Sequence, residues 1–323
     1  MAGNSSKIVV YGAIGANVAI AISKFVSAAF TGSAAMMSEG IHSLVDSGNG
    51  GLILFGLNRS QKPADARHPF GHSKDLYFWT VIVAVMIFAV GGGLSLYKGY
   101  QYLQHPAPLT DPTWNYWVLG LAMVFEGVAC ALAYREFRKT QGDSGFWRAL
   151  RDSRDPAVFA ILLEDLAALV GLAIALAGVF FGHYLNNLYL DGAASMAIGA
   201  LLVGMSVFML REARGLLVGE GASPEVLQGL EALAGQDAAV TKLRTPLTMY
   251  LGPADAILAL DIAFHDHLTA VEIEQAVERL QTAIKAKYPE FQRVFIEASS
   301  LNGHQRQKAP TPAPGQASSP QQA

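Results

Sequence analysis

Charged residues are scarce in this sequence. They make up 15% of the 323 residues, whereas soluble proteins average about 25%, and long apolar runs separate them. This deficit argues against an ordinary soluble domain and places the chain among membrane proteins. The net charge is −3 and no basic patch suggests nucleic-acid binding, so we expect no nucleic-acid partner.

Cysteine is nearly absent. Cys130 is the single thiol and lies in an apolar run, which excludes a disulfide framework and a thiolate metal site. Any metal must therefore be held by histidine, aspartate or glutamate. A cleavable signal and a transit peptide are not recognisable either, because Lys7 leads directly into an apolar helix. We therefore expect a prokaryotic cell (inner) membrane.

Six apolar segments of about 20 residues or more are each long enough to span a bilayer as a helix. Lysine and arginine lie in the loops after the second, fourth and sixth segments, whereas the alternate loops carry neither. The positive-inside rule then predicts that both termini are cytoplasmic. The predicted spans are Lys7–Phe30, Ala34–Leu57, Leu76–Tyr100, Trp114–Tyr134, Pro156–Phe181 and Leu190–Leu210.

The composition becomes that of a soluble domain after the sixth span. We predict a polytopic α-helical membrane protein with a six-helix transmembrane domain at residues 1–215, a small cytoplasmic αββαβ (ferredoxin-like) domain at 222–301, and a disordered tail at 302–323 that is rich in Pro, Gln, Ser and Ala. Thr269 and Glu272 form a predicted capping box. The predicted elements are Pro224–Ala234, Val240–Leu251, Ala256–Phe264, Thr269–Lys287 and Phe291–Ala298.

The second span carries a histidine and a carboxylate on one helix face. An ionisable residue at membrane depth costs roughly 2.5–3.5 kcal/mol on insertion scales and is a functional hypothesis by default. His42 and Asp46 are four residues apart, so their side chains project the same way. Such a pair is half of a tetrahedral site for zinc or a similar metal, or else a polar tie between helices. Asp165 of the fifth span is predicted at a similar depth, where a shared cation would relieve the repulsion between two acids.

Three further acids lie within the predicted spans. Glu39 is one turn from His42. It could act as a proton acceptor or as a metal ligand on the exit path, or it could simply form a hydrogen bond with His42. Glu164 points about 100° away from Asp165, either towards the site or towards a neighbouring helix. Glu126 could have a functional role, but a polar contact to Asn17 or Lys24 of the first span would explain its position equally well.

The loop after the second span contains a further group of possible ligands. Asp65, His68 and His72 have plausible metal-ligand spacing. Surface histidines near a carboxylate are also common by chance, so the spacing alone leaves both interpretations open.

Together these motifs resemble the cation diffusion facilitators, a family that exports divalent metals in exchange for protons. Ser38-Glu39-Gly40 and Leu162-Leu163-Glu164-Asp165 are similar to its zinc-transporter-nine branch. The family resemblance rests on Thr31-Gly32-Ser33, His42-x-x-x-Asp46, His68-Pro69-Phe70-Gly71-His72-Ser73-Lys74 and Asp191-Gly192-Ala193-Ala194-Ser195.

The resemblance implies two metal sites and a homodimer joined partly through the cytoplasmic domains. The transport site would comprise His42, Asp46 and Asp165, and the loop site Asp65, His68 and His72. Most members carry a histidine one turn before the span-five aspartate, where this chain has Ile161, so water, Glu164 or Glu39 would complete the set. The cytoplasmic domain of many members binds metal through histidines, whereas its elements here carry Asp261, Glu274 and Glu297, which suit at most weaker oxygen ligation.

These observations predict a proton-coupled antiporter that exports divalent cations from the cytoplasm, not an enzyme, with no bound cofactor. Zinc is the expected cargo, with Co²⁺, Mn²⁺ and Fe²⁺ as alternatives. Its partners are then the metal ion, protons and the lipid bilayer. Metal binding requires neutral His42 and ionised carboxylates, so protons and metal compete for one site. The alternatives are a membrane-embedded metal sensor or scaffold that does not transport, and an intramembrane metallohydrolase with Glu39 as base, for which nothing indicates a substrate pocket.

Overall fold

The computed structural model describes residues 2–106, 112–139 and 156–298. These residues divide into two compact units, one comprising 2–221 with 249–256 and the other 222–248 with 257–298. The predicted tail at 302–323 and most of the basic loop between the fourth and fifth predicted spans lie outside the described residues.

Six helical stretches of 27–30 residues make up the first unit. The third stretch is α-helical at both ends and contains a π-helical segment between them. Helix α2 packs against α1, α3, α6 and α7, so it lies at the centre of this unit. The bounds are α1 (Ala2–Thr31), α2 (Ala34–Ser60), α3 (Asp75–Met86), the π-helix (Ile87–Gly93), α4 (Leu94–Gln104), α5 (Thr113–Lys139), α6 (Pro156–Tyr184) and α7 (Tyr189–Val218).

Four of the stretches are both long and apolar enough to cross a membrane, and the chain is accordingly a multi-pass membrane protein. They are Asp75–Gln104, Thr113–Arg135, Ala160–Tyr184 and Tyr189–Val218. The part of α1 whose side chains are described forms a shorter apolar helix. Helix α2 is as long as the others, but ionisable and amide side chains interrupt its apolar sequence.

The start of α2 is fixed by an aspartate from another helix. The turn from α1 passes through Gly32 at a φ of 74°, and the Ser33 hydroxyl caps the first turn of α2. Asp191, in the first turn of α7, accepts hydrogen bonds from the Ser33 hydroxyl and from the N–H groups of Ala34 and Ala35. A helix terminus leaves such N–H groups without intrahelical partners, so the buried carboxylate satisfies them and joins α2 to α7.

Glycines allow α4 and α7 to approach closely. A Cβ added to Gly99 would lie 2.7 Å from the backbone nitrogen of Met196, and one added to Gly199 would lie 2.7 Å from that of Leu96. Small residues permit this backbone proximity in membrane helices. The packing of α4 on α7 therefore depends on these two positions remaining glycine.

A four-stranded sheet organises the C-terminal part of the chain. The long strand β3 is central: β1 pairs with it antiparallel, with Val240 opposite Phe264, and β4 pairs with it parallel, with Leu258 opposite Val294. Strand β2 also pairs with β3. The elements are α8 (Pro224–Gly235), β1 (Val240–Leu243), β2 (Leu247–Gly252), β3 (Asp255–Phe264), α9 (Ala270–Lys287) and β4 (Arg293–Ala298).

The predicted order αββαβ is wrong, because the structure has αβββαβ. The single predicted strand Val240–Leu251 is divided into β1 and β2 by residues 244–246. Pro246 lies in this break, and proline has no N–H to donate to a sheet.

The predicted strand Ala256–Phe264 is confirmed as β3, and alternate side chains along it, among them Leu258, Leu260 and Ile262, are buried. The capping box of α9 is also confirmed. The backbone N–H of Thr269 donates to the Glu272 carboxylate, and this hydrogen bond holds the pKa of Glu272 below its ordinary value.

Replacing Asp191 with alanine is expected to destabilise the protein by at least about 2 kcal/mol, because each buried donor left unpaired costs about 1–3 kcal/mol. The matched control is Asp75→Ala in the first turn of α3. Asp75 forms a half-exposed ion pair with Arg59 at 3.1 Å, and such pairs contribute about 0–1 kcal/mol. Thermal unfolding in detergent would measure both, and equal melting temperatures for the two variants would contradict the assigned role of Asp191.

Candidate metal centre

His42 and Asp46 lie side by side on α2, as their spacing predicts. The Nδ1 atom of His42 is 3.3 Å from Oδ1 of Asp46, and the two side chains are 1% and 14% exposed. Within the described part of the chain, neither ring nitrogen of His42 nor Oδ1 of Asp46 has a hydrogen-bond partner. Buried polar atoms are normally paired, so these atoms are suited to ligate a cation. Their role as metal ligands stays a prediction.

Glu164 of α6 faces α2. Its side chain is buried, and its Oε1 accepts a hydrogen bond of 3.0 Å from Nδ2 of Asn49, which lies less than one turn beyond Asp46 on α2. Asp46 also interacts electrostatically with Glu164. The hydrogen bond therefore fixes a second carboxylate on the side of α6 that packs against α2.

Asp165 lies on a different side of α6. Glu126 of α5 interacts electrostatically both with Asp165 and with Asp46 of α2. Ile161, one turn before Asp165, is 44% exposed. Ala160, one turn before Glu164, is fully buried. Residues four apart share a helix face, so Glu164 lies on the more buried face of α6, where Asn49 of α2 binds it. Asp165 as a metal ligand stays a prediction.

Glu39 is paired with a lysine rather than with His42. Its Oε2 accepts a hydrogen bond of 3.0 Å from Nζ of Lys24, and both side chains are fully buried. The same ammonium donates to the Ser43 hydroxyl at 2.7 Å. From the sequence, Lys24 was expected only as a possible partner of Glu126, and not as a partner of Glu39. The signal that identifies it is a lysine inside an apolar run, which requires a buried partner.

Asp65, His68 and His72 come together in the exposed loop after α2. One ligand atom from each lies within 4.8 Å of the others, and among the described residues this is the one group of three or more such side chains that could hold a metal ion. The backbone N–H groups of His68 and Arg67 donate to the Asp65 carboxylate at 2.7 and 2.8 Å. These bonds, that of His68 above all, lower the pKa of Asp65, so the carboxylate is ionised and preoriented.

Two histidines of the C-terminal part were missed at the sequence level. The ring centroids of His265 and His267 are 5.3 Å apart, in the turn after β3. The sequence signal was the His-Asp-His run at 265–267. Asp261, named above as a possible oxygen ligand, forms an ion pair with Arg244 at 3.1 Å.

Replacing Asn49 with leucine is expected to lower stability by about 1–3 kcal/mol, because the buried Glu164 carboxylate loses its donor. It is also expected to weaken zinc binding by about tenfold, since residues that orient a ligand typically affect affinity to this extent. Calorimetric titration of zinc and thermal unfolding, both on purified protein in detergent, would measure the two effects.

The control is Asn115→Leu. Asn115 is equally buried, and its Oδ1 accepts hydrogen bonds from Ser27 and Thr31 at 2.7 and 3.0 Å. This variant should also melt earlier yet bind zinc as the wild type does. Unchanged zinc affinity in Asn49→Leu would show that Glu164 is not a ligand held by Asn49.

Comparison with known proteins gives one family. Residues 10–218 match the model of the cation efflux transmembrane domain. The human protein named mitochondrial proton-coupled zinc antiporter SLC30A9 is 33% identical over 84% of this chain and 49% of its own length. Metal tolerance protein C4 of Arabidopsis thaliana is 29% identical over 72% of this chain and 51% of its own length. Magnetosome protein MamM of Magnetospirillum gryphiswaldense is 26% identical over 83% of this chain and 80% of its own length.

The chain thus spans about half the length of the SLC30A9 proteins that it resembles. Their similarity confirms the predicted resemblance to the zinc-transporter-nine branch. Since the matched model also covers more than half of the sequence, the chain belongs to the cation efflux family of membrane transporters.

Proposed function

We propose that this chain is a proton-coupled antiporter that exports divalent metal cations, zinc foremost, from the cytoplasm. The observation that carries the proposal is the His42–Asp46 pair, whose buried nitrogen and oxygen atoms lack hydrogen-bond partners among the described residues. The printed name of the human relative, a proton-coupled zinc antiporter, supports zinc as the cargo and protons as the counter-ion.

The proposed transport site consists of His42, Asp46 and Glu164. One imidazole and two carboxylates suit zinc, with Co²⁺, Mn²⁺ and Fe²⁺ as further candidates. Glu164 takes the place that the sequence prediction gave to Asp165, because the hydrogen bond from Asn49 holds it against α2. Glu39 is engaged by Lys24 and lies outside this set.

Proton coupling follows from the chemistry of these groups. A metal ion needs a neutral imidazole and ionised carboxylates, so each loading event displaces protons and each protonation weakens metal binding. Rocking of the helices around the site would expose it to the two sides in turn, as in other secondary transporters. No resident cofactor is required, because the metal is the cargo.

The proposed topology has six membrane spans with both termini in the cytoplasm, in the cell (inner) membrane. Its support is the six helical stretches of 27–30 residues and the concentration of Lys and Arg in alternate loops. We also propose a homodimer and a ferredoxin-like C-terminal domain. The parallel pairing of β3 with β4 supports the domain fold, and the exposed Phe295 and Leu247 support an apolar contact with a second copy.

In liposomes with an imposed proton gradient, Asp46→Asn and Glu164→Gln are expected to abolish uphill zinc accumulation while preserving the folded protein. Each amide keeps the side-chain volume and removes the negative charge that the cation needs. Asp165→Asn is expected to retain measurable transport, because Glu164 is the α6 carboxylate that Asn49 binds to α2. Zinc uptake measured with an encapsulated fluorescent indicator would rank the three variants.

Two outcomes would change the proposal. Loss of transport in Asp165→Asn with activity retained in Glu164→Gln would make Asp165 the α6 ligand. Uphill accumulation that persists after a protonophore collapses the gradient would rule out antiport, and zinc binding without any transport would indicate a sensor or scaffold.

The double variant His68→Ala/His72→Ala is expected to slow zinc transport several-fold without abolishing it. These histidines lie in the exposed loop, where they can load or tune the pathway but cannot by themselves gate it. The matched control is His105→Ala/His183→Ala, which removes two histidines outside the cluster. Complete loss of uptake in the folded loop variant would place the loop within the obligatory pathway.

A further inference from the structure

Lys24 is a buried cation inside the helical unit. It lies on α1 with no exposed surface, and its Nζ donates to Oε2 of Glu39 at 3.0 Å and to the Ser43 hydroxyl at 2.7 Å. A lysine at membrane depth is costly and is retained where it pairs with a specific group. Its position therefore requires an explanation beyond the packing of α1 on α2.

The two acceptors of Lys24 flank the proposed transport site on α2. Glu39 precedes His42 by three residues, and Ser43 follows it directly. The Lys24 ammonium also interacts electrostatically with both His42 and Asp46. A fixed positive charge thus acts on the groups that are proposed to receive a divalent cation.

The second oxygen of Glu39 faces the same interface as Glu164. Oε1 of Glu39 has no hydrogen-bond partner within the described residues. A Cβ added to Gly171 of α6 would lie 2.5 Å from this oxygen, and Gly171 lies two helical turns after Glu164 on the same side of α6. Glu39 is therefore directed between α2 and α6, and its bond to Lys24 restrains it there.

We propose that Lys24 is a tethered cation that sets the metal affinity of the transport site. It has two effects: its hydrogen bond keeps Glu39 out of the metal's ligand set, and its positive charge opposes the charge of the bound cation. This inference rests on the proposed function, because it assigns Lys24 a positioning role at the site of His42, Asp46 and Glu164.

The physical reason is that a transport site must release its ion. Binding that is too strong prevents departure, the same compromise that applies to conduction through channels. Without Lys24, the Glu39 carboxylate would be buried without a counter-charge and would be free to join a divalent cation. A low-dielectric interior strengthens that attraction, so the metal would be held more tightly and released more slowly.

The test compares four full-length proteins: the wild type, Lys24→Met, Glu39→Gln and the double variant. Zinc affinity is measured by calorimetry in detergent. Lys24→Met is expected to raise the zinc affinity at least about tenfold, because the Glu39 charge is left uncompensated in a low dielectric. Glu39→Gln is expected to lower the zinc affinity about tenfold, because the Lys24 charge is then left uncompensated. The double variant, again neutral, should return to within about threefold of the wild type, since the two charge effects oppose each other.

Transport kinetics supply a second measurement. Lys24→Met should lower both KM and kcat for zinc, because tighter binding limits release. A purely structural role for Lys24 would instead weaken binding and lower the melting temperature in all three variants. If Glu39 were already a metal ligand, the double variant would bind zinc more weakly than the wild type.

Lys24→Met that binds zinc no more tightly than the wild type would overturn the proposal. If Lys24→Met does not fold, either of two other results would overturn the proposal. One is an unchanged zinc affinity in Glu39→Gln, and the other is a double variant that binds zinc as weakly as Glu39→Gln. Asp46→Asn separates this inference from the proposed function. Wild-type zinc affinity in Asp46→Asn would remove the transport site itself, whereas loss of binding there with the wrong order among the Lys24 and Glu39 variants would refute the tethered cation alone.

Discussion

The structure depends on how one central helix accommodates ionisable side chains where water is scarce. Helix α2 carries Glu39, His42 and Asp46 in its buried part, and each such group is costly unless it is paired. Glu39 takes Lys24 of α1 as its counter-charge. His42 and Asp46 lie against each other and retain atoms without hydrogen-bond partners among the described residues. The proposed metal ligands on α2 are therefore the two ionisable side chains whose polar atoms are least satisfied by hydrogen bonds.

The other helices hold α2 in place around that pair. Asp191 of α7 satisfies the first N–H groups of α2, and Asn49, towards the other end, binds Glu164 of α6. Between them, the hydroxyls of Ser38 and Ser195 are 2.7 Å apart. Side-chain hydrogen bonds thus tie α2 to α6 and α7 along its length, so a movement that opens the site must break such bonds or carry these helices together.

Local patterns were predictable from the sequence, whereas rotations and partners were not. The adjacency of His42 and Asp46 follows from the helical repeat, and the Thr269 capping box follows from short-range chemistry. Glu164 and Asp165 differ by a rotation of about 100° around α6, and the sequence does not show that Asn49 of α2 binds the first of them. The break at Pro246 was readable in the sequence, because proline has no N–H to donate to a sheet, but the segment was predicted as one strand.

The departures from a strong metal site act in one direction. A closed four-ligand zinc site is typical of structural metals, and an open position is typical of sites where the metal or its ligands exchange. Ile161 is exposed at the position where the family resemblance led us to expect a histidine, so α6 has no imidazole one turn before Asp165. The carboxylate nearest to His42 in the chain, Glu39, is bound by Lys24. At the proposed transport site, a missing ligand and a sequestered one would both lower the metal affinity, which a carrier needs because its cargo must leave.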